Sequence, residues 1–124
     1  MNYVWIGLGG ILGAIARHTV AEVVAKRIAG DFPLGIFIVN ISGAFVLGLM
    51  AGLSERAEWI SPAVRLGAMV GFLGAFTTFS TWSVDTLRLL ESGRYGAALF
   101  NLLGSAGAGL FAAWVGMTLG RLAR

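Results

Sequence analysis

Four long apolar stretches, separated by short polar or charged segments, account for almost the whole chain of 124 residues. A helix that crosses a membrane needs about 20 consecutive apolar residues. The pattern therefore predicts four transmembrane helices, over residues 3–24, 33–53, 62–90 and 95–120. Because these spans leave room only for short loops, we expect one all-α integral membrane domain over residues 1–124.

The third stretch is too long for one straight crossing, and it carries polar residues at its centre. Residues 71–83 read Gly-Phe-Leu-Gly-Ala-Phe-Thr-Thr-Phe-Ser-Thr-Trp-Ser, so hydroxyl groups lie among aromatic rings at apparent bilayer depth. Lipid offers no water to satisfy such groups. We therefore predict that the third helix is broken near Gly74 and lines an ion path. Carbonyls freed at a broken helix coordinate cations, so a sodium-like ion could brace the break.

The aromatic residues of this stretch have two interpretations. Phe76, Phe79 and Trp82 are spaced by three, and on a helix they form one stripe that is typical of packing. Alternatively, the positive edges of the rings face an anion without any full positive charge. Hydroxyl donors such as Thr78 can then replace part of the hydration shell that a small anion loses.

Polar side chains in the other stretches also leave alternatives open. Arg17 lies near the centre of the first stretch, where it either snorkels to the interface or draws anions into a vestibule. Asn40 lies well inside the second, where its amide bonds a neighbouring helix or donates to an anion. Asn101 and Ser105 share a face of the fourth and either extend a polar track or contact another helix.

Composition excludes several classes of function. Only 12% of the residues are charged, against about 25% in an average soluble protein. The chain has no cysteine, which excludes disulfides and thiolate metal sites. Its net charge of +3 is scattered over segment ends, so we expect no nucleic-acid partner. No pair of nucleophile and base can be named, and we expect no enzyme.

The basic residues give no orientation signal of the usual kind, in which cytoplasmic flanks hold an excess of Lys and Arg. One side of the predicted bundle holds Arg56, Arg65, Arg121 and Arg124. The other side holds Lys26, Arg27, Arg88 and Arg94. This balance favours insertion in both orientations and antiparallel pairing of two copies.

Glycine pairs with GxxxG spacing occur in every predicted span, and such pairs let helix backbones approach closely in lipid. They are Gly9/Gly13, Gly48/Gly52, Gly67/Gly71 and Gly116/Gly120. The spacing predicts a compact bundle. Four thin helices enclose little polar volume, which favours an oligomer.

With these residues in place, the chain closely resembles the small fluoride channels called Fluc or CrcB, over essentially its full length. The resemblance rests on one motif in each of the first three spans. The motifs are Gly9-Gly10 with Gly13-Ala14 and Arg17, Val39-Asn40 with Gly43, and Gly71-Phe72 with Gly74 and Thr77-Thr78-Phe79-Ser80-Thr81.

The resemblance implies an antiparallel, dual-topology homodimer in the cell (inner) membrane that exports fluoride passively through two pores. It implies a structural Na⁺ at the dimer centre, held by the backbone carbonyls of Gly74 and Thr77. By motif match, Phe79 is the first aromatic residue of the pore and Asn40 its asparagine. Ser105 matches a hydroxyl of the polar track in the fourth span.

Three positions depart from the pattern of the family. Trp82 stands at the second aromatic position, where phenylalanine is typical. Ile36 replaces a threonine that many members carry, and Asn101 stands where some members have tyrosine. The departures concern details of the pore.

A proton-coupled small multidrug exporter is the alternative, since such proteins can also have four spans and dual topology. That mechanism needs a carboxylate embedded in the membrane. The first span contains Arg17 in place of such a carboxylate. The acids nearest to a span are Glu22 and Asp85, and both lie towards the ends of their segments. A purely structural membrane subunit is a third possibility.

Overall fold

The computed structural model describes residues 2–123 and shows them as an all-helical bundle. Four helices in this part of the chain are long and apolar enough to cross a membrane. The third is interrupted and is numbered here as two helices. The elements are α1 (Asn2–Arg27), α2 (Leu34–Ser54), α3 (residues 62–76), α4 (Phe79–Glu91) and α5 (Tyr95–Leu122). The prediction of a multi-pass chain with four spans is confirmed.

Local signals set the ends of the third span. Ser61 caps α3, since its hydroxyl accepts a bond of 3.3 Å from Val64 N–H, and Pro62 is the first helical residue. At the other end, Gly93 has a φ of 77°, a left-handed conformation that suits a residue without Cβ and ends α4. Arg124, counted above among the basic residues of one side, lies outside the described residues.

Glycine holds the helices together in two pairs, α1 with α3 and α2 with α5. A Cβ at Gly9 would overlap the carbonyl of Gly67, and one at Gly13 would overlap the carbonyl of Phe72. In the second pair, a Cβ at Gly116 would overlap the carbonyl of Phe45. The predicted close packing of backbones through GxxxG pairs is confirmed.

The break in the third span is confirmed, but its position differs from the prediction. Gly74 is helical, with φ −63° and ψ −36°. The chain becomes extended at Thr77 (φ −80°, ψ 154°) and Thr78 (φ −148°, ψ 121°), before α4 begins at Phe79. The glycine does not unwind the helix, because the interruption depends on a side-chain contact with α2 that is described below.

Two π-helical segments, which the sequence pattern does not reveal, lie inside otherwise regular helices. Arg65–Leu73 forms most of α3, and Phe100–Gly104 lies within α5. A π-helix has a wider turn than an α-helix and shifts the backbone hydrogen bonds by one residue. The segment in α5 lies opposite α4 and contains the buried Asn101.

Candidate functional site

The amide side chain of Asn40 holds the break open. Asn40 Nδ2 donates to the Thr78 carbonyl at 3.1 Å, and Asn40 Oδ1 accepts from Thr78 N–H at 2.8 Å. The N–H of Thr78 loses its helical partner, the Gly74 carbonyl, when the chain becomes extended, whereas the Thr78 carbonyl also accepts the first helical bond of α4. A side chain of α2 therefore supplies the missing partner of this N–H, as a membrane interior requires.

Thr78 also begins the next helix. Its hydroxyl oxygen accepts from Thr81 N–H at 3.2 Å, which is an N-cap. The same hydroxyl donates to Thr81 Oγ1 at 3.2 Å and lies 3.4 Å from Ser80 Oγ. Thr78 is buried, whereas Ser80 is exposed on this chain. The structure thus gathers three of the predicted hydroxyl groups at the start of α4.

The break redirects two N–H groups away from backbone carbonyls. In a continuous helix Thr78 N–H would serve the Gly74 carbonyl, but here it donates to Asn40. Thr81 N–H would likewise serve the Thr77 carbonyl, but it donates to Thr78 Oγ1. Carbonyl oxygens are suitable ligands for a hard cation. The carbonyl oxygens of Gly74 and Thr77, which these N–H groups no longer occupy, therefore fit the chemistry expected of a sodium site.

The three aromatic residues do not form one stripe, because the break separates them. Phe79 and Trp82 lie together on α4, with ring centroids 5.4 Å apart and planes at 50°. Phe76 belongs to α3 and stacks on Phe72 at 5.7 Å. Phe79 is 77% exposed on this chain, so its ring is available to a partner or to an ion. The prediction of a single helical stripe is wrong for Phe76.

Asn101 and Ser105 share a face, as predicted, and they connect α5 to α4. Ser105 Oγ donates to Asn101 Oδ1 at 3.3 Å, and Asn101 Nδ2 donates to Thr86 Oγ1 at 2.9 Å. The backbone carbonyl of Asn101 accepts from Trp82 Nε1 at 2.9 Å. Only 1% of Asn101 is exposed. The interpretation as a contact between helices is confirmed, and the interpretation as part of a polar track stays a prediction.

Arg17 is half-buried on α1, one turn beyond Gly13. Since Gly9 packs on Gly67 and Gly13 on Phe72, α1 and α3 run in the same direction, which brings Arg17 to about the level of the break. Within the described residues its guanidinium has no hydrogen bond or ion pair. The neighbouring His18 lies 3.3 Å from Glu22, so it is the less available of the two.

A bond from Asn40 to a neighbouring helix was one of the two predicted interpretations and is confirmed, but its partner Thr78 and the bond from Trp82 were not predicted. The reciprocal bonds between Asn40 and Thr78 join residues 38 positions apart. Only one signal pointed to them: an amide and a run of hydroxyl groups at similar depth in adjacent spans. The bond from Trp82 to the Asn101 carbonyl had no signal, because it depends on a backbone atom.

Comparisons with known proteins identify the family of the chain. Residues 4–117 match the family described as CrcB-like protein, Camphor Resistance (CrcB). A relative named fluoride-specific ion channel FluC, from Acidobacterium capsulatum, is 42% identical over 97% of this chain and 96% of its own length. A second, fluoride-specific ion channel FluC 1 from Symbiobacterium thermophilum, is 46% identical over 97% of this chain and 98% of its own.

A third relative, fluoride-specific ion channel FluC from Magnetococcus marinus, is 40% identical over 98% of this chain and 99% of its own length. All three relatives are named as ion channels. The expectation that the chain is not an enzyme is confirmed by these comparisons.

Proposed function

The chain belongs to the CrcB-like family, and from that membership we propose that it is a fluoride-specific channel exporting F⁻ across the cell (inner) membrane. Fluoride enters a cell as neutral HF, which dissociates near neutral pH. A passive path then lets the trapped anion leave and lowers intracellular fluoride. Such a device needs no phosphate-binding loop, and the sequence contains none of the usual form.

The observation that carries this proposal is the break at Thr77 and Thr78 with Asn40 across it. Asn40 Nδ2 has two hydrogens, and only one of them is used by the Thr78 carbonyl. The other can donate to an anion at the same depth as the hydroxyls of Ser80 and Thr81. These weak donors, with the ring edges of Phe79 and Trp82, would replace the water around fluoride.

The other proposed pore residues have supporting roles. The hydroxyl of Ser105 extends the polar groups along α5, and Phe76, which stacks on Phe72 and faces Gly43 of α2, would line the pore on the α3 side of the break. Arg17, half-buried at about the same level, attracts anions towards the entrance without binding them tightly.

The working unit of this proposal is an antiparallel homodimer with two pores and copies inserted in both orientations. Support comes from the even balance of basic residues and from the wide exposure of Phe79, which a second copy would cover. A structural Na⁺ at the dimer centre would be held by the carbonyls of Gly74 and Thr77 from each copy. When bound, it would stabilise backbone groups that the break leaves without helical partners.

The direct test is efflux from sealed vesicles that contain the purified protein, recorded with a fluoride-selective electrode. We expect rapid release of fluoride and almost no release of chloride from matched vesicles. Vesicles no leakier to fluoride than empty lipid would overturn the proposal. Equal leakage of both anions would leave a channel without the proposed selectivity.

The sodium site and the topology need separate tests. Replacement of Na⁺ by a large organic cation over a long incubation should weaken efflux or dissociate the dimer. Unchanged activity and assembly would argue against the site. Accessibility of a terminal tag should show about equal populations on the two faces, and one uniform orientation would refute dual topology.

A further inference from the structure

The chain holds two pairs of phenylalanine and tryptophan that are alike in spacing and ring contact. Phe79 and Trp82 lie on α4 with centroids 5.4 Å apart, and Phe111 and Trp114 lie on α5 with centroids 6.0 Å apart. The pairs differ at the indole nitrogen. Trp82 Nε1 donates to the Asn101 carbonyl at 2.9 Å, while within residues 2–123 Trp114 Nε1 has no hydrogen bond.

The acceptor of the Trp82 bond is held firmly in place. Asn101 is 1% exposed, and its side chain bonds both Thr86 and Ser105. Its carbonyl also accepts from Ser105 N–H where the π-helical segment ends. A carbonyl oxygen has two lone pairs, so the helical bond and the indole bond can coexist. The indole of Trp82 is therefore hydrogen-bonded to a well-held backbone carbonyl of the neighbouring helix α5.

We propose that the backbone carbonyl of Asn101 positions the Trp82 ring for conduction and withholds the indole N–H from the permeating anion; the inference rests on the proposed fluoride-channel function. The N–H is the strongest donor on an indole ring. With that donor occupied, the anion meets only C–H edges at Trp82, as it does at Phe79. The bond thus allows conduction past a tryptophan at a position where a free indole N–H would bind the anion and slow its passage.

The bond also restricts the ring to one orientation. A phenylalanine at the same position has no polar atom by which α5 can hold it. A typical net hydrogen bond favours the bonded arrangement by a factor of about five. Without it, two otherwise equal orientations would each be populated about half of the time, so the conducting arrangement would fall from about 80% to about 50%.

The test replaces the indole N–H without changing ring size. Benzothienylalanine, an isostere of tryptophan with sulfur in place of N–H, is incorporated at position 82, and efflux is recorded per folded channel. We expect the maximal rate of fluoride efflux to fall about twofold, and at most about fivefold. The same replacement of Trp114, which is 63% exposed and lacks the bond, is the control and should leave the rate unchanged.

A rate at position 82 equal to that of the native protein would overturn the inference, while efflux by the native protein would still support the proposed function. No efflux from the native protein would instead count against the function itself. Efflux is divided by the amount of correctly assembled protein, so that an effect of the isostere on folding is not mistaken for an effect on conduction.

A measurement on the native protein tests the same point if the isostere at position 82 fails to fold. With ¹⁵N-labelled indoles, we expect the Trp82 N–H to exchange with D₂O more slowly than that of Trp114. Addition of fluoride should leave the Trp82 N–H resonance in place, with chloride as the reference. A large shift with fluoride alone would show that this N–H binds the anion, and the inference would be wrong.

Discussion

The helix contacts made by glycine and the contact made across the break bring backbones together by opposite means. At Gly116 the absence of a side chain lets α5 touch the backbone of α2 near Phe45. At Thr78 a side chain, that of Asn40, reaches across from α2 and bonds the backbone directly. The first contact joins regular helices whose backbone groups are already paired, and the second supplies partners that an interrupted helix lacks.

This difference separates the part of the molecule that serves the fold from the part to which we assign the proposed conduction. Close glycine packing is dry and tolerates no added atom, so its residues determine whether the bundle forms. The break costs helical bonds and is kept by a specific amide, which is expected of a site with a function. Substitutions in the two regions should therefore differ in kind: loss of the protein in one region, loss of transport in the other.

The largest effect is expected from Gly116→Ala. The added methyl group would overlap the Phe45 carbonyl, and neither backbone can move without separating α2 from α5. Overpacking of this kind costs on the order of 3 kcal/mol or more. We expect a strongly lowered Tm in detergent and a broad profile in size-exclusion chromatography.

The matched control lies on the same helix. A Cβ at Gly107 would meet no atom within 4 Å, so Gly107→Ala should leave stability unchanged or slightly raised. Equal behaviour of the two variants would show that the contact of α2 with α5 is looser than described.

The next effect is expected at Asn40, where two substitutions separate folding from conduction. Asn40→Leu leaves the N–H of Thr78 without a partner, at a cost of about 1–3 kcal/mol, and removes one of the two bonds to the Thr78 carbonyl. Asn40→Asp keeps an acceptor for Thr78 N–H but adds a negative charge. We expect the leucine variant to be the less stable of the two and both variants to lose fluoride efflux.

Ser42→Ala is the control for Asn40, since within residues 2–123 the Ser42 hydroxyl bonds only the carbonyl of Val39 in its own helix. It should transport fluoride at close to the native rate. Robust efflux through Asn40→Asp would remove this amide from the pore, while its role in holding the break would stand.

The sequence predicts the four spans and the glycine contacts well, because both depend on composition and on a fixed spacing along one helix. It places the break only approximately. Gly74 is a residue of weak helical preference, yet the helix continues through it and opens at Thr77. The position of the opening is set by Asn40, a contact distant in sequence. The same reason explains why Phe76 separates from the other two rings.

A smaller and more selective effect is expected for Phe79→Ile. The ring is 77% exposed on this chain, so its loss removes little packing within the described residues. It does remove the ring edge next to Trp82, and we expect fluoride efflux to fall at least tenfold, the equivalent of about 1.4 kcal/mol in a barrier. Phe111→Ile is the control, because the Phe111 ring is also exposed and also contacts a tryptophan, Trp114, and it should not change efflux. Native rates for both variants would contradict the role of aromatic edges.

The smallest effect is expected at the end of the glycine-packed pair, where Arg121 binds Glu55 with two nitrogens at 2.9–3.1 Å. These hydrogen bonds hold the pKa of Glu55 below its ordinary value of 4.5. Because the pKa of Glu55 is lower in the folded state than in the unfolded state, the ion pair stabilises the fold at a pH above 4.5. This contribution is lost as the pH falls through the lowered pKa of the folded state.

Glu55→Gln should thus lower the Tm slightly at pH 7. The difference from the native protein should shrink as the pH drops below 4.5, because the unfolded state then gains a proton at Glu55, and it should vanish once the folded carboxylate is protonated too. A difference that grows on acidification would show that Glu55 does not act through its charge, and would leave Gly116 and its partners to hold α2 and α5 together unaided.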